Sequence, residues 1–200
     1  MSRFLALVAG ALAIAFLGWQ FWLGTRGADE CGGGAVAGGS IGGALSLLDE
    51  TGKEVTEADL FQKPALVYFG YSFCPDVCPL DNVRNVEALD LLKAQGIEVS
   101  AYFVTVDPAR DTPQVLAEYT DNIHPDLIGL SGSEAQTKAA ADAYRVFYRA
   151  NLDQGEYYTV DHTTFTYLML PGGTFADFFK REDSPEMIAE RAACMIGAAG

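Results

Sequence analysis

From about residue 44 to its end the chain alternates short apolar strand patterns with helical ones, and this restricts it to a largely parallel sheet with helices packed against it. Ala44–Leu48 and Lys53–Val55 flank the turn-like cluster Asp49-Glu50-Thr51-Gly52 and read as a hairpin. Pro64-Ala-Leu-Val-Tyr-Phe-Gly70 is an apolar run of strand formers with no alternation, the pattern of a central strand buried on both faces. A helical stretch follows to about Gln95, with Val83, Val86, Leu89 and Leu92 on one stripe and Gly96 as its stop. Glu98–Val106 is a second buried strand, and Thr112-Pro113 opens a helix with an N-cap residue and a first-turn proline. Asp126–Leu130 reads as a short strand, and Ser133 to Gln136 as a capping box for a helix reaching about Arg149. Thr164–Leu170 and Thr174–Phe178 pair across Pro171-Gly172-Gly173, and Ser184-Pro185 opens a closing helix.

Parallel β-α-β units followed by a hairpin and a helix describe an α/β, thioredoxin-like architecture with extra elements inserted in its middle. In that architecture the functional position is the turn from the first core strand into its helix, where helix N–H groups point at a reactive group. Here the turn reads Gly70-Tyr-Ser-Phe-Cys74-Pro-Asp-Val-Cys78-Pro79. Two cysteines four apart at a helix start are expected on one face, one turn apart, where the dipole and unpaired N–H groups favour thiolate. Thiolate both attacks disulfides and binds metal, so both functions are open at this stage. A structural disulfide and two unrelated buried thiols are the plainer alternatives, while zinc would need four ligands.

Only two histidines are present. His162 stands in Val160-Asp161-His162-Thr163-Thr164, just before the strand that the fold places beside the first core strand. In thioredoxins that loop faces the cysteines and carries a cis-proline; this chain has no proline between residues 126 and 170, and a histidine occupies the neighbourhood. Two soft thiolates with one imidazole suit copper better than other common metals. His124, on a helix-to-strand connection, is read as an ordinary surface or core residue.

The first 39 residues balance Arg3 and Arg26 against Asp29 and Glu30, so the formal net charge of −14 belongs wholly to residues 40–200. Such an acidic domain cannot assemble the basic surface that nucleic acid requires. Phe4 to Leu23 is uncharged and, at about 1.5 Å per helical residue, spans roughly 30 Å, a bilayer's hydrocarbon core. With Trp19 and Trp22 near its far end, residues 1–26 are expected to be a single transmembrane anchor with the N-terminus in the cytoplasm. A cleaved signal peptide is the competing reading, but the apolar run is long for one, and Ala35-Val36-Ala37 lies far downstream. Residues 27–43 read as a glycine-rich linker, with seven of the 21 glycines falling in 32–43, and residues 44–200 as the folded domain.

The chain resembles the Sco/SenC family of membrane-anchored copper chaperones from about residue 41 onward. The matching segments are Ile41-Gly42-Gly43 with Leu47, Lys63-Pro64 through Gly70, and Cys74-Pro-Asp-Val-Cys78-Pro79. Val106-Asp107-Pro108-Ala-Arg110-Asp111-Thr112-Pro113, Leu130-Ser-Gly132 and Val160-Asp161-His162 complete them. The resemblance implies that Cys74, Cys78 and His162 bind one copper ion, with Asp107, Arg110 and Asp111 ordering a loop nearby or simply capping a turn. It also implies that the protein helps assemble the copper A centre in subunit II of cytochrome c oxidase, by delivering copper. A thiol–disulfide oxidoreductase that keeps the client's ligand cysteines reduced is the alternative. The expected setting is the bacterial inner membrane, with the domain in the periplasm. Cys31 and Cys194 match no family motif and are read as bystanders, with a mutual disulfide or intermolecular pairing as alternatives.

Overall fold

A computed structural model describes Cys31 and residues 41–199. The expected membrane-spanning segment lies outside the described residues, and among these no helix is long and apolar enough to cross a membrane.

Strands β1 (Ser46–Leu48) and β2 (Glu54–Thr56) form the expected hairpin, and a short helix α1 (Glu57–Leu60) follows. The core is a five-stranded sheet of β3 (Ala65–Gly70), β4 (Ser100–Thr105), β5 (Leu127–Leu130), β8 (Thr166–Leu170) and β9 (Thr174–Phe179). Its order is β5-β4-β3-β8-β9, with β3, β4 and β5 parallel and β8 and β9 antiparallel, the expected thioredoxin-like arrangement. Every residue of β3 is buried, as its uninterrupted apolar pattern requires for a central strand covered on both faces. The crossovers are α2 (Val77–Ala94) between β3 and β4 and α3 (Pro113–Asp121) between β4 and β5. After β5 come α4 (Glu134–Ala143), then β6 (Tyr148–Ala150) and β7 (Val160–His162), which pair as a separate hairpin. Helix α5 (Pro185–Ala199) closes the chain and packs beside α2.

Alternation along β3 sorts its aromatic side chains. Tyr68, in register with Phe103 of β4, stacks on it at 6.3 Å between ring centres, and Phe103 meets Tyr119 of α3 at 5.0 Å. Phe69 packs instead against Tyr144 at 5.1 Å and Tyr167 at 6.1 Å. The caps are those the sequence spells: the Thr112 side chain accepts the N–H of Val115, and Ser133 and Gln136 form a reciprocal capping box.

Outside the cysteine loop, the structure departs from expectation in four places. Helix α4 ends at Ala143 rather than near Arg149, because Arg145 takes a left-handed φ of 56° and the Val146 N–H turns back to the Ala141 carbonyl. The residues this releases form β6, the partner strand of the one that carries His162. Along α2, Val83 is exposed, while Asp81, Arg84 and Asn85 are buried in a polar network completed by the chain ahead of α5, and the buried Asn82 donates to the Tyr119 hydroxyl of α3 at 3.2 Å. In that network Arg84 donates to the Lys180 carbonyl at 2.7 Å and to Thr166 Oγ1 at 3.0 Å, and Arg181 donates to Asp81 at 3.3 Å. Packing also begins ahead of residue 44: Ile41 is buried, and the Gly42 N–H donates to the Ala143 carbonyl at 2.9 Å. Gly42 has a φ of +90°, a left-handed backbone conformation that favours glycine.

Lastly, Cys31 and Cys194 are bonded to each other, which corrects the bystander reading; the spacing of two cysteines 163 residues apart carries no signal of their pairing. Closing so long a loop removes much of the unfolded chain's freedom, and the Cys31→Ser/Cys194→Ser double variant should unfold with about 2–4 kcal/mol less stability in denaturant titration. An unchanged midpoint would show that the crosslink adds nothing to stability.

Candidate metal centre

The site is built where β3 ends. Gly70, its last residue, has a backbone against which a neighbour's sulfur packs: a Cβ there would lie 3.0 Å from Cys78 Sγ and 2.8 Å from the Phe103 ring. The loop Tyr71–Asp76 then leads into α2, which begins at Val77. Cys74 therefore lies ahead of the helix and only Cys78 lies within it, a correction to the expectation of one shared helical face. What joins them is capping. Asp76, the N-cap residue, offers no side-chain hydrogen bond, and Cys74 Sγ accepts the Cys78 N–H at 3.4 Å. A sulfur thus takes a first-turn donor that ordinarily goes to a serine, threonine or aspartate oxygen. Pro79 in the same turn has no N–H to satisfy.

These contacts set the charge on the pair. The Cys74 thiol is pushed down to about 3, first by the Cys78 thiol donating to it and further by the backbone N–H groups of Asp76 and Cys78, against the opposing effect of burial. Cys78 moves the other way, above the ordinary thiol range, because it supplies that shared proton and because it is fully buried. The apo pair therefore holds one proton and one negative charge at neutral pH.

His162 ends β7, and its Nε2 lies 3.4 Å from Cys78 Sγ. Its Nδ1 lies 2.9 Å from the Thr163 carbonyl oxygen, which can only accept, so Nδ1 carries the hydrogen and Nε2 presents a lone pair to the sulfurs. Tyr68 and Tyr71 wall the imidazole edge-on at 6.2 and 5.9 Å between ring centres, and both are buried. Burial lifts the Tyr71 hydroxyl to about 12, so it stays neutral beside the thiolate.

One ligand atom from each of Cys74, Cys78 and His162 lies within 4.8 Å of the others. An ion with bonds of about 2.0–2.3 Å to three donors around it holds those donors roughly 3.5–4 Å apart, so the cluster matches a soft three-coordinate ion with little rearrangement. Two thiols and one neutral imidazole are the donor set that suits copper. The remaining cysteines and histidine are elsewhere. Cys31 and Cys194 are tied to each other, and His124 sits by Asp90, at 3.4 Å, and Asp126.

The charged loop named in the sequence divides its work. Asp111 holds the cysteine loop, accepting from the Ser72 N–H at 3.1 Å, from Ser72 Oγ at 2.5 Å and from Thr105 Oγ1 at 2.6 Å. Asp107 instead accepts from Arg110 Nε at 2.5 Å and from the Tyr158 hydroxyl at 2.7 Å. The sequence alone did not mark Tyr68, Tyr71, Asp81 or Tyr158 as neighbours of the site. Tyr68 donates to the buried Asp81 at 2.9 Å, a contact that its place in an all-apolar run conceals.

A sequence profile of the SCO1/SenC family matches residues 35–197. Protein SenC of Rhodobacter capsulatus is 49% identical over 162 residues, covering 81% of this chain and 73% of that protein. The solved structure of Arabidopsis thaliana ScoI with copper bound superposes with a TM-score of 0.75 at 38% identity, over 79% of this chain and 99% of that one. Bradyrhizobium japonicum ScoI, also solved with copper bound, gives 0.70 at 38% identity, over 77% of this chain and 98% of that one. The chain belongs to the SCO1/SenC family.

If one thiolate is held by the helix start, the reduced apo-protein should keep close to one equivalent of ultraviolet thiolate absorbance at about pH 5, where an ordinary cysteine, with a pKa near 8.5, is fully protonated. The signal should fade only as the solution becomes strongly acid, and Cys74→Ser should abolish it. A signal that first appears above about pH 8 would contradict the shared-proton arrangement.

Proposed function

We propose that this SCO1/SenC-family protein is a membrane-tethered copper chaperone that carries one copper ion on Cys74, Cys78 and His162 and helps assemble the copper A centre of cytochrome c oxidase subunit II. The observation that carries this reading is the convergence of two sulfurs and an imidazole lone pair on one point. Copper is the cargo. Cys74 and Cys78 supply soft thiolate donors, His162 supplies the third, and the buried tyrosines exclude water from one side. Both cysteines are buried, but Cys74 keeps 8% of its area exposed while Cys78 is closed off, so a client's ligands would reach the cargo from the Cys74 side. The copper-bound relatives in plants and bacteria support the choice of metal.

The client and the setting rest on the family resemblance and on the charge-free run near the N-terminus. We place the domain on the periplasmic side of a bacterial inner membrane. The Cys31–Cys194 disulfide supports that placement, since such bonds persist in oxidising compartments.

A second reading draws on the split in the thiols. A Cys74 thiolate with a protonated Cys78 beside it is the arrangement of an attacking and a resolving thiol. Cys74 would attack a client disulfide, Cys78 would displace the client from the mixed disulfide, and two electrons would pass to the client's sulfurs. That reaction would use His162 only to tune the thiols, whereas the chaperone reading uses its lone pair as a third donor beside both sulfurs, and the chaperone reading is preferred for this reason.

Anaerobic titration of the reduced protein with copper separates the two. A 1:1 thiolate complex should form, with affinity falling at acid pH because the thiols and the imidazole must shed protons to bind. Cys74→Ser and Cys78→Ser should each lose more than the roughly 10–100-fold that outer-shell partners of a metal site carry. Absence of a defined complex, together with stoichiometric reduction of an oxidised client, would replace the chaperone with the oxidoreductase.

A further inference from the structure

The three ligands are not held alike. Cys74 stands in the loop between the central strand and α2, and Cys78 in the first turn of α2; Asp111 holds that loop through Ser72, and Cys78 packs on Gly70. His162 stands on the β6–β7 hairpin, whose strands, among the described residues, pair with each other and not with the five-stranded sheet. The base of this arm is closed by the Thr163 N–H donating to the Phe147 carbonyl at 2.9 Å and by Phe147 N–H donating to Thr163 Oγ1 at 3.1 Å. Its outer turn is exposed, with Tyr157 at 83%.

Between base and turn, the arm is fastened at Tyr158. The guanidinium carbon of Arg110 lies 3.5 Å from the centre of the Tyr158 ring, and the Tyr158 hydroxyl donates to Asp107, the same carboxylate that accepts from Arg110 Nε. The same guanidinium lies 4.8 Å from the ring of Phe73, the residue next to Cys74, and 5.8 Å from that of Tyr71. Arg110 thus touches an aromatic ring of the cysteine loop and an aromatic ring of the histidine arm. A planar cation can contact several ring faces at once, which a lysine ammonium cannot reproduce.

We propose that Arg110, through its contacts with Phe73 and Tyr158, is a positioning residue that holds His162 in the ligand set and thereby sets how strongly the site prefers copper(II) over copper(I). The inference rests on the proposed copper site. Two thiolates satisfy soft copper(I) without further help, whereas copper(II) draws on the nitrogen donor. Loosening the arm therefore costs copper(II) binding and largely spares copper(I).

The test uses the full chain and four variants: Arg110→Gln and Arg110→Lys at the cation, Tyr158→Leu and the milder Tyr158→Phe at the ring. Copper(I) and copper(II) affinities are measured by competition, and nitrogen coupling in the copper(II) resonance spectrum reports the imidazole. Arg110→Gln and Tyr158→Leu should lower copper(II) affinity by roughly 10–100-fold, the range for outer-shell partners, and weaken the nitrogen coupling. Copper(I) affinity should change by less than about 3-fold, because the two thiolates that soft copper(I) selects are untouched. Arg110→Lys should behave like Arg110→Gln, and Tyr158→Phe, which keeps the ring, should lie near wild type. Added to His162→Ala, Arg110→Gln should cause no further loss, since both act through one group.

Equal losses in both oxidation states, unchanged copper(II) affinity and nitrogen coupling, or additivity with His162→Ala would each overturn the proposal. Should Arg110→Gln or Tyr158→Leu fail to fold, Arg110→Lys decides the matter by the same readouts. Wild-type protein that binds neither form of copper would overturn the copper-site reading and this inference with it. Wild-type binding with insensitive variants would overturn the inference alone.

Discussion

The first turn of α2 leaves N–H groups that no helical carbonyl can reach, and in this protein a sulfur receives one of them. Most of the site depends on that contact. It holds Cys74 against a helix that has no side-chain cap from Asp76, it favours the thiolate, and it brings the Cys78 thiol to bear as donor. A buried charge is costly unless hydrogen-bonded, and here the partners are a neighbouring thiol and backbone N–H groups. Gly70 makes the approach possible from below, because any side chain at that position would collide with Cys78 and with the ring of Phe103.

Around the pair, buried polar groups are arranged in two separate supports. Asp111 ties Ser72 to Thr105 and so fixes the cysteine loop to the end of β4. Asp81 lies deeper, between the Tyr68 hydroxyl and the arginines at positions 84 and 181, and connects the wall of the site to the junction of α2 with the chain entering α5. Burial raises the Asp111 carboxyl, which the Ser72 and Thr105 hydrogen bonds oppose. Such networks hold a single geometry well when their members are satisfied and badly when one is removed. A site that must meet a client's ligands without rearranging its own depends on supports of this kind.

How much of this could be read in the sequence depended on the range of the interactions. The run from Pro64 to Gly70, the cap at Thr112 and the box from Ser133 to Gln136 are local, and each element begins where its residues indicate. The cysteine pair was legible because a strand-to-helix turn in this topology already marks a functional position. His162 was legible because the strand after it had to lie beside β3, as the Tyr68↔Thr166 register bears out. The arm was not. Tyr148-Arg149-Ala150 is too short and polar to announce a strand, and the helical pattern before it runs on past the point where Arg145 turns the chain. Asp81, Asn82, Arg84 and Asn85 resemble a solvated helix face, and their partners come from residues such as Tyr119, Thr166, Lys180 and Arg181, far along the chain. The Cys31–Cys194 bond was open for the same reason.

The central claim is that two sulfurs and one imidazole nitrogen form a single copper site. X-ray absorption at the copper edge, on the full chain loaded with one equivalent, counts those donors directly. The account predicts coordination by two sulfurs and one nitrogen, reduced to one sulfur in Cys74→Ser and stripped of the imidazole signature in His162→Ala. Copper bound without sulfur, or a donor set that neither substitution changes, would contradict it.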